Sequence, residues 1–427
     1  MAGANKIVAL CGVRLGHYFP KCCLGFSYGI SFPLTLSVLD FWIKDVGGSN
    51  SVIGMFALLH WPFTCKFVLG ALLENYDIPY LSERIGRIRS WIVASHMLLL
   101  AGIVGMAYSN PEAGFTWLIL FASLASLGDG CKNVVLYPYQ IQGNNPRGYV
   151  ASFVGFGHRI GMIFIKVFTL YLAAFYDWKT AYLFAAVVIL LQMPILLSFK
   201  PPLELSKTNP VTSFRNSLGK SIAVPFKKMM KERRGVYTLV ILMLYKSADF
   251  MMQKMSKPFL MEIGFSKIDI ANIAQLWGST FVIAGGWIGG YLVERLRLAR
   301  ALILFGCCHA VTFSMYLILL ESGASPSVLT WIISCEALTG GCVTTVFLAF
   351  IYATCQTGSM YALLWALHDI SGMLFMGVSG ILADGVGWGY FFLGVSFSYI
   401  IGLLCLFFFT HFFDLLPCNK YLAEQVE

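Results

Sequence analysis

Apolar residues along the chain fall in runs of about 18 to 25, parted by short polar turns, and at 1.5 Å of rise per residue each run can cross a hydrocarbon core of about 30 Å as a helix. The runs place spans near 22-42, 51-73, 90-108, 115-137, 148-172, 180-199, 235-260, 268-293, 299-319, 327-354, 357-383 and 389-413. In lipid only helices and closed barrels satisfy the backbone, and these runs are too long for barrel strands. The expected fold is therefore an all-α membrane protein of twelve transmembrane helices with both termini on one side. The first twenty residues do not follow a basic start with an apolar core and a small-residue cleavage site, so the first run is read as a permanent span.

The long polar segment from Lys200 to Arg234 opens on Pro201, Pro202 and Pro210 and separates six spans from six. The expected organisation is an N-terminal six-helix bundle over 1-199, a cytoplasmic basic linker over 200-234 and a C-terminal six-helix bundle over 235-427. Val224 to Met230 reads either as a short amphipathic helix on the membrane surface or as solvated linker. The halves echo each other at equivalent turns. Gly70 and Glu74, followed by Gly86-Arg87-Ile88-Arg89, answer to Gly290 and Glu294-Arg295-Leu296-Arg297. A weaker echo pairs Tyr176-Asp177-Trp178 with Gly387-Trp388. Glycine lets two helices approach and the acid can bond neighbouring bases, so Gly70, Glu74, Arg87, Gly290, Glu294 and Arg295 are read as a conformational latch. Two such halves, related by an axis along the membrane normal, resemble the major facilitator plan, with the substrate path between them.

Composition agrees with a membrane protein: 58% of residues are hydrophobic and 12% charged, against about 25% charged in soluble domains. The net charge of +9 could point to nucleic acid, but position decides otherwise. On the side of the termini lie 20 of the 30 Lys and Arg, whereas the opposite loops hold Lys44, Lys179 and Lys267. By the positive-inside rule both termini are expected in the cytoplasm, which reads the excess as topology and argues against a nucleic-acid partner. The 12 cysteines form no CxxC and have no histidine at zinc spacing, so they read as small apolar residues and neither a disulfide framework nor a metal site is expected.

Among the charged residues within the spans are Lys66, Asp129, Lys132, Arg159, Lys166, Lys246, Asp249 and Asp369. Facing lipid, eight such charges would cost on the order of 20 to 28 kcal/mol, more than the stability of a typical protein. Most must face an internal wet path or pair with one another, which points to transport. Lys246 and Asp249 share a face of span seven, and Asp129 and Lys132 a face of span four. Each pair is either self-neutralising, which lowers the cost of insertion, or functional, with Asp249 as a proton-coupling carboxylate. Arg159 has no acid three or four residues away, so its partner is another helix, water or an anionic substrate.

The glycine pairs Gly25 and Gly29, Gly157 and Gly161, and Gly286 and Gly290 read as close helix contacts. Gly155-Phe-Gly157-His-Arg-Ile-Gly161 is not a dinucleotide loop, because its last spacing is one residue too long and no strand precedes it. Tyr28, Trp61, Tyr245, Trp277 and Trp365 could stack on a sugar ring if they line the path; Tyr28, Tyr245 and Trp365 are the candidates retained. His368-Asp369 has neither a nucleophile nor a further ligand beside it, and nothing in the chain argues for an enzyme or a cofactor.

Gly25-Phe-Ser-Tyr-Gly29-Ile-Ser-Phe-Pro33, Pro62-Phe-Thr-Cys-Lys66-Phe, Gly157-His158-Arg159-Ile160-Gly161, Tyr245-Lys246-Ser247-Ala248-Asp249 and Glu336-Ala-Leu-Thr339-Gly340-Gly341 resemble the AmpG family of muropeptide permeases. The resemblance runs over nearly the whole chain. It implies proton-driven import of N-acetylglucosaminyl-anhydromuramyl peptides across the bacterial inner membrane during cell-wall recycling, by a monomer. It also carries over Lys66, Arg159, Lys246 and Asp249 as the family's charged positions, with Glu74 in place of its usual Asp. The acetyl-CoA transporter branch keeps a bulky anionic metabolite open as an alternative. A departure lies on span four, where family members usually carry two or three acids and this chain has Cys131, Val135 and Gln140, with Asp129 displaced by two. Those substitutions also leave room for a sensor that binds without transporting.

Overall fold

The computed structural model describes residues 15–66, 68–70, 76–141, 147–199, 224–231, 233–296, 298–354 and 358–413. Within them eleven helical stretches are long and apolar enough to span a membrane: Phe19–Asp45, Asn50–Gly70, Arg87–Tyr108, Thr116–Tyr137, Phe153–Phe175, Trp178–Leu197, Gly235–Ile263, Lys267–Val293, Leu298–Ser322, Pro326–Thr354 and Leu363–Phe408. The last is two spans, because Gly387 breaks it with a φ of 75° and a ψ of 165°, a conformation open to glycine and little else. The twelve expected spans are thus present, numbered here one to twelve in chain order. The expected amphipathic piece is a helix, Val224–Lys231; the rest of the linker lies outside the described residues.

The turn residues explain the weaker echo between the halves. Asp177 caps the start of span six by accepting a 2.7 Å bond from the Thr180 N–H. The hydroxyl and N–H of Thr180 hold this exposed carboxyl below the usual carboxylate range. Gly387 makes the equivalent turn before span twelve, and in both halves a tryptophan follows. Ser266 and Asp269 form a capping box that starts span eight.

Several spans are broken where the sequence pattern is continuous. Span one breaks at Leu36, three residues after Pro33, which lacks an N–H and crowds the preceding turn. Span seven breaks at Lys246, which has a φ of −99° and a ψ of 2°. Each break starts a fresh helix whose first residues carry an acid, Asp40 in span one and Asp249 in span seven, where the free N–H groups and the helix dipole favour negative charge. Span eight opens with a π-helical segment, Ile270–Trp277.

Glycines set the closest packing. A Cβ on Gly25 or Gly29 would stand 2.0 or 2.1 Å from a carbonyl oxygen of span five, and one on Gly157 2.1 Å from the Cys22 carbonyl oxygen. Spans one and five are therefore in backbone contact, as expected from these glycines. Span eight departs by one residue: Gly285 and Gly289 pack against Leu338 and Cys342 of span ten, while Gly286 and Gly290 have room for a side chain. A paired test follows on span five, where a Cβ on Gly155 would meet nothing within 4 Å. Gly157→Ala is expected to cost about 1 to 3 kcal/mol by overpacking and to lower the melting temperature, and Gly155→Ala to leave it unchanged; thermal unfolding in detergent checks both.

Candidate functional site

A cavity of about 550 Å³ lies between the halves, lined by Gly155 and His158 of span five, Lys246 of span seven, Thr344, Phe347, Leu348 and Tyr352 of span ten, and Trp365 and His368 of span eleven. That volume is within the usual range for small-molecule sites. Its wall residues sit toward the end of the bundle that carries the termini.

Lys246 stands at the cavity wall because span seven breaks there. Its ammonium bonds Asp249 Oδ2 and donates to Thr344 Oγ1 at 3.2 Å. Asp249 Oδ1 lies 3.0 Å from His309 Nε2, and His309 Nδ1 lies 2.7 Å from Thr339 Oγ1. A line of polar groups thus leads from the cavity through Lys246 and Asp249 into the C-terminal half. Behind it, the Tyr316 hydroxyl donates to Glu336 Oε2 at 2.5 Å.

The other i,i+3 pair is built differently. Asp129 and Lys132 are 3.0 Å apart with both side chains 0% exposed. Lys132 also donates to the Ser27 carbonyl at 2.8 Å and to the Ser31 hydroxyl, while Asn133 Nδ2 donates to Asp129 Oδ1 at 3.2 Å. This pair fastens span four to span one and has no opening to the cavity. The two pairs, equivalent by spacing, are thus separated by their surroundings.

Lys66 lies 3.4 Å over the Phe63 ring, in the field of Asp369 across the halves and of Asp129. Arg159 is exposed and makes no ion pair among the described residues. Of the stacking candidates, Trp365 lines the cavity. Tyr245 does not: it is fully buried, stacked on Phe347 at 5.6 Å and donating to the Leu302 carbonyl at 2.8 Å. Tyr28 is buried too, its hydroxyl 3.1 Å from the Asn133 carbonyl. In the expected latch, Arg87 pairs with Asp77 at 3.3 Å and Arg295 lies 4.5 Å over the Tyr291 ring. Glu74 and the Glu294 side chain lie outside what is described, and Gly70 and Gly290 have space around them.

A third charged group has no counterpart among the sequence-based expectations. At the end away from the termini, Asp40 of span one accepts from Lys254 at 2.5 Å and from Lys257 at 3.1 Å, both on span seven. Around it Lys44 meets Glu262 at 2.8 Å, Lys267 meets Asp45 at 2.7 Å, Ser51 donates to Asp384 through N–H and hydroxyl, and Tyr171 donates to Asn272 at 2.7 Å. Backbones also touch here: a Cβ on Gly380 would stand 1.9 Å from the Asn50 carbonyl oxygen. The halves are tied together at this end, with the cavity toward the other. Lys254 and Lys257 are three residues apart with no acid on their own face, the signal that would have found them.

A bundle of twelve spans with a cavity between its halves invites comparison with known transporters. The sequence matches the family model of the Major Facilitator Superfamily over residues 22–376. The chain belongs to that superfamily. Facilitators similar to it include the transporter AmpG 1 of Rickettsia bellii, 25% identical over 90% of this chain and 95% of the relative. The anhydromuropeptide permease of Escherichia coli K12 is 26% identical over 90% of this chain and 77% of its own length. The expected likeness to AmpG-type permeases is thereby borne out. Among solved structures, a D-xylose-proton symporter superposes with a TM-score of 0.67 at 14% identity, covering 95% of this chain and 98% of its own. A mutant of the peptide transporter POT superposes with a TM-score of 0.69 at 14% identity, covering 92% and 93%. These two establish the facilitator fold. The protein is a multi-pass membrane transporter of the secondary, facilitator type.

Proposed function

We propose that this facilitator is a proton-coupled symporter that carries anhydromuropeptides across the bacterial inner membrane into the cytoplasm. The observation that supports it best is the chain of Lys246 and Asp249 at the wall of a cavity shared by both halves, in a protein similar over 90% of its length to an anhydromuropeptide permease. The 1-199 and 235-427 bundles would rock about this cavity, joined by the 200-234 linker. In this reading the basic, terminal side is cytoplasmic, so the end tied together around Asp40 faces the periplasm and the cavity faces the cytoplasm.

In this reading a single chain is the working unit, with protons and the sugar peptide as its partners in the bilayer. Asp249 carries the proton, Lys246 answers to its charge and to substrate carboxylates, and Arg159 meets carboxylates entering from the open side. Lys66 and Asp129 act from the N-terminal half, Asp129 through its hold on span one. Trp365 offers a ring face to the sugar: Trp365→Ala should raise the half-saturating substrate concentration by about threefold to tenfold while leaving gradient dependence intact. Concentration series of initial uptake check this.

The deciding experiment is uptake of labelled anhydromuropeptide into proteoliposomes, with and without an inward proton gradient. Gradient-dependent accumulation supports the symporter; absence of uptake by folded protein refutes it. A second reading, a carrier of another bulky anion such as acetyl-CoA or a nucleotide-like solute, is favoured by one observation: the exposed Arg159 has no acid partner among the described residues. It requires that such anions be carried and that peptidoglycan fragments fail to compete.

A further inference from the structure

We propose that Lys254 and Lys257 of span seven are a carboxylate site on the transport path, filled by Asp40 while this end is closed and by a carboxylate of the solute once the halves part. That the solute is a sugar peptide rests on the function proposed above; the site itself rests on the charges at this end. Asp40 is 0% exposed and gives one oxygen to each ammonium, Oδ1 to Lys254 at 2.5 Å and Oδ2 to Lys257 at 3.1 Å. Two cations thus grip one carboxylate away from water, with charge-assisted bonds to both of its oxygens. Such a grip is an anion site occupied by the protein's own side chain.

The charges around it do not balance. Toward the surface each base has an acid of its own, Lys44 with Glu262 and Lys267 with Asp45. Further in, Asp40 serves both Lys254 and Lys257. Lys166 of span five stands in the field of Lys257 and Asp40, and its ammonium makes no hydrogen bond or ion pair among the described residues. Three ammonium groups thus share one carboxylate. A tie between the halves does not need that excess, because Asp40 with a single lysine would join span one to span seven, and each further buried charge is costly.

The excess has a use when the halves separate. Asp40 and Lys166 belong to the N-terminal half, Lys254 and Lys257 to the C-terminal half. Gly25 against Val154 and Gly29 against His158 set a parallel register between spans one and five, which places Lys166 about one turn from the level of Asp40, within the length of a lysine side chain. Asp40 can therefore pass to Lys166 as this end opens, and the N-terminal half stays neutral there. Lys254 and Lys257 are left facing the opening with no acid three or four residues away on their own span, free to take an anion from outside. Lys166 also continues the stripe of Gly155, His158 and Met162 along span five, and Gly155 and His158 line the cavity, so the site lies on the path. Lys246, about two to three turns away on span seven, meets the carboxylate again at the cavity wall.

Chemical rescue tests the site without the substrate. In Asp40→Ala the grip is empty, and backbone hydrogen exchange over 46–56, where the halves meet, should be faster than in the native protein. Sodium acetate should slow it again, sodium chloride at the same ionic strength should not, and Lys257→Gln added to Asp40→Ala should abolish the acetate effect. Acetate without effect on folded Asp40→Ala overturns the site. Lys166→Met should slow exchange over 46–56 in the protein with Asp40 intact, because the open form loses the second partner of Asp40; unchanged or faster exchange there refutes the hand-over, as a lysine that is only solvated would leave it unaltered. Uptake then reads the solute. Labelled anhydromuropeptide should have a half-saturating concentration about tenfold below that of its form with amidated carboxyls, the margin of a charged hydrogen bond, and Lys257→Gln, which leaves Asp40 paired with Lys254, should lose most of that margin. The full margin kept by folded Lys257→Gln overturns the proposal, and this variant also serves should Asp40→Ala not fold. If the native protein carries no anhydromuropeptide, the proposed substrate is what fails, and rescue by acetate decides the site alone.

Discussion

Asp249→Asn is expected to abolish gradient-driven accumulation while sparing exchange of substrate between the two sides. A symporter that moves one proton with each solute sustains about tenfold accumulation per unit of pH difference, since about 1.4 kcal/mol corresponds to a factor of ten. Asn keeps the shape of the side chain at the start of the second half of span seven but cannot release a proton, so the ratio of inside to outside should fall to unity at any gradient. Exchange should persist because both strokes can be made with a side chain that stays neutral. The fold should survive as well: Lys246 keeps its bond to Thr344 and borders the cavity, where water can solvate it. Accumulation and counterflow measured on the same vesicles separate the outcomes. Accumulation as in the native protein removes Asp249 from the coupling mechanism.

How much of this site was legible along the chain follows from sequence distance. The spans, their number and the two i,i+3 pairs are local properties, set by runs of apolar residues and by the period of one helix. Which pair meets the cavity is a property of packing between helices. Lys132 is saturated by Ser27 and Ser31, more than 100 positions earlier in the chain, and nothing in the spacing of Asp129 and Lys132 announces it. His309 reaches Asp249 only because Gly340, on a third helix, leaves space for its ring. The glycines of span eight mark the limit of motif reading in another way: two overlapping Gly-x-x-x-Gly patterns stand side by side, and the rotation of the helix selects Gly285 and Gly289. Likewise a tyrosine beside the key lysine looks available for a sugar, yet successive residues of a helix point about 100° apart, and Tyr245 is turned into the core.

The altered residues of span four fit the same geometry. Val135 is buried in an apolar cluster with Tyr28 and Leu136, and Asp129 is engaged by Lys132 and Asn133. Among the described residues the N-terminal half therefore offers no carboxylate on the cavity wall, and the ionisable groups along that wall are Lys246, His158, His368 and Tyr352, with Asp249 behind Lys246. Coupling chemistry, in the proposed reading, is concentrated in the C-terminal half, and the N-terminal half contributes the surface against which it moves.

That movement must first undo the ties at the closed end, and Asp40→Asn should undo the strongest of them. Asp40 is 0% exposed and is the carboxylate that Lys254 and Lys257 share, with Lys166 nearby in the same field. Its removal leaves two ammonium groups buried against each other with no counter-charge, a change that costs about 3 to 5 kcal/mol for buried pairs. The cost falls on the closed arrangement alone, because opening this end to water solvates both lysines. A bias of that size shifts the ratio of closed to open forms by about 10² to 5 × 10³. Hydrogen exchange followed by mass spectrometry should therefore show faster exchange in the backbone of 46–56 and 262–270, where the halves meet, with little change in the core of spans three and four. Lys254→Met should partly reverse the effect in Asp40→Asn by removing one of the two stranded charges, a coupling that a double-mutant cycle reads directly. Unaltered exchange at the closed end in Asp40→Asn would mean that the backbone contact at Gly380 and the outer pairs of Lys44 and Lys267 hold the halves together without it.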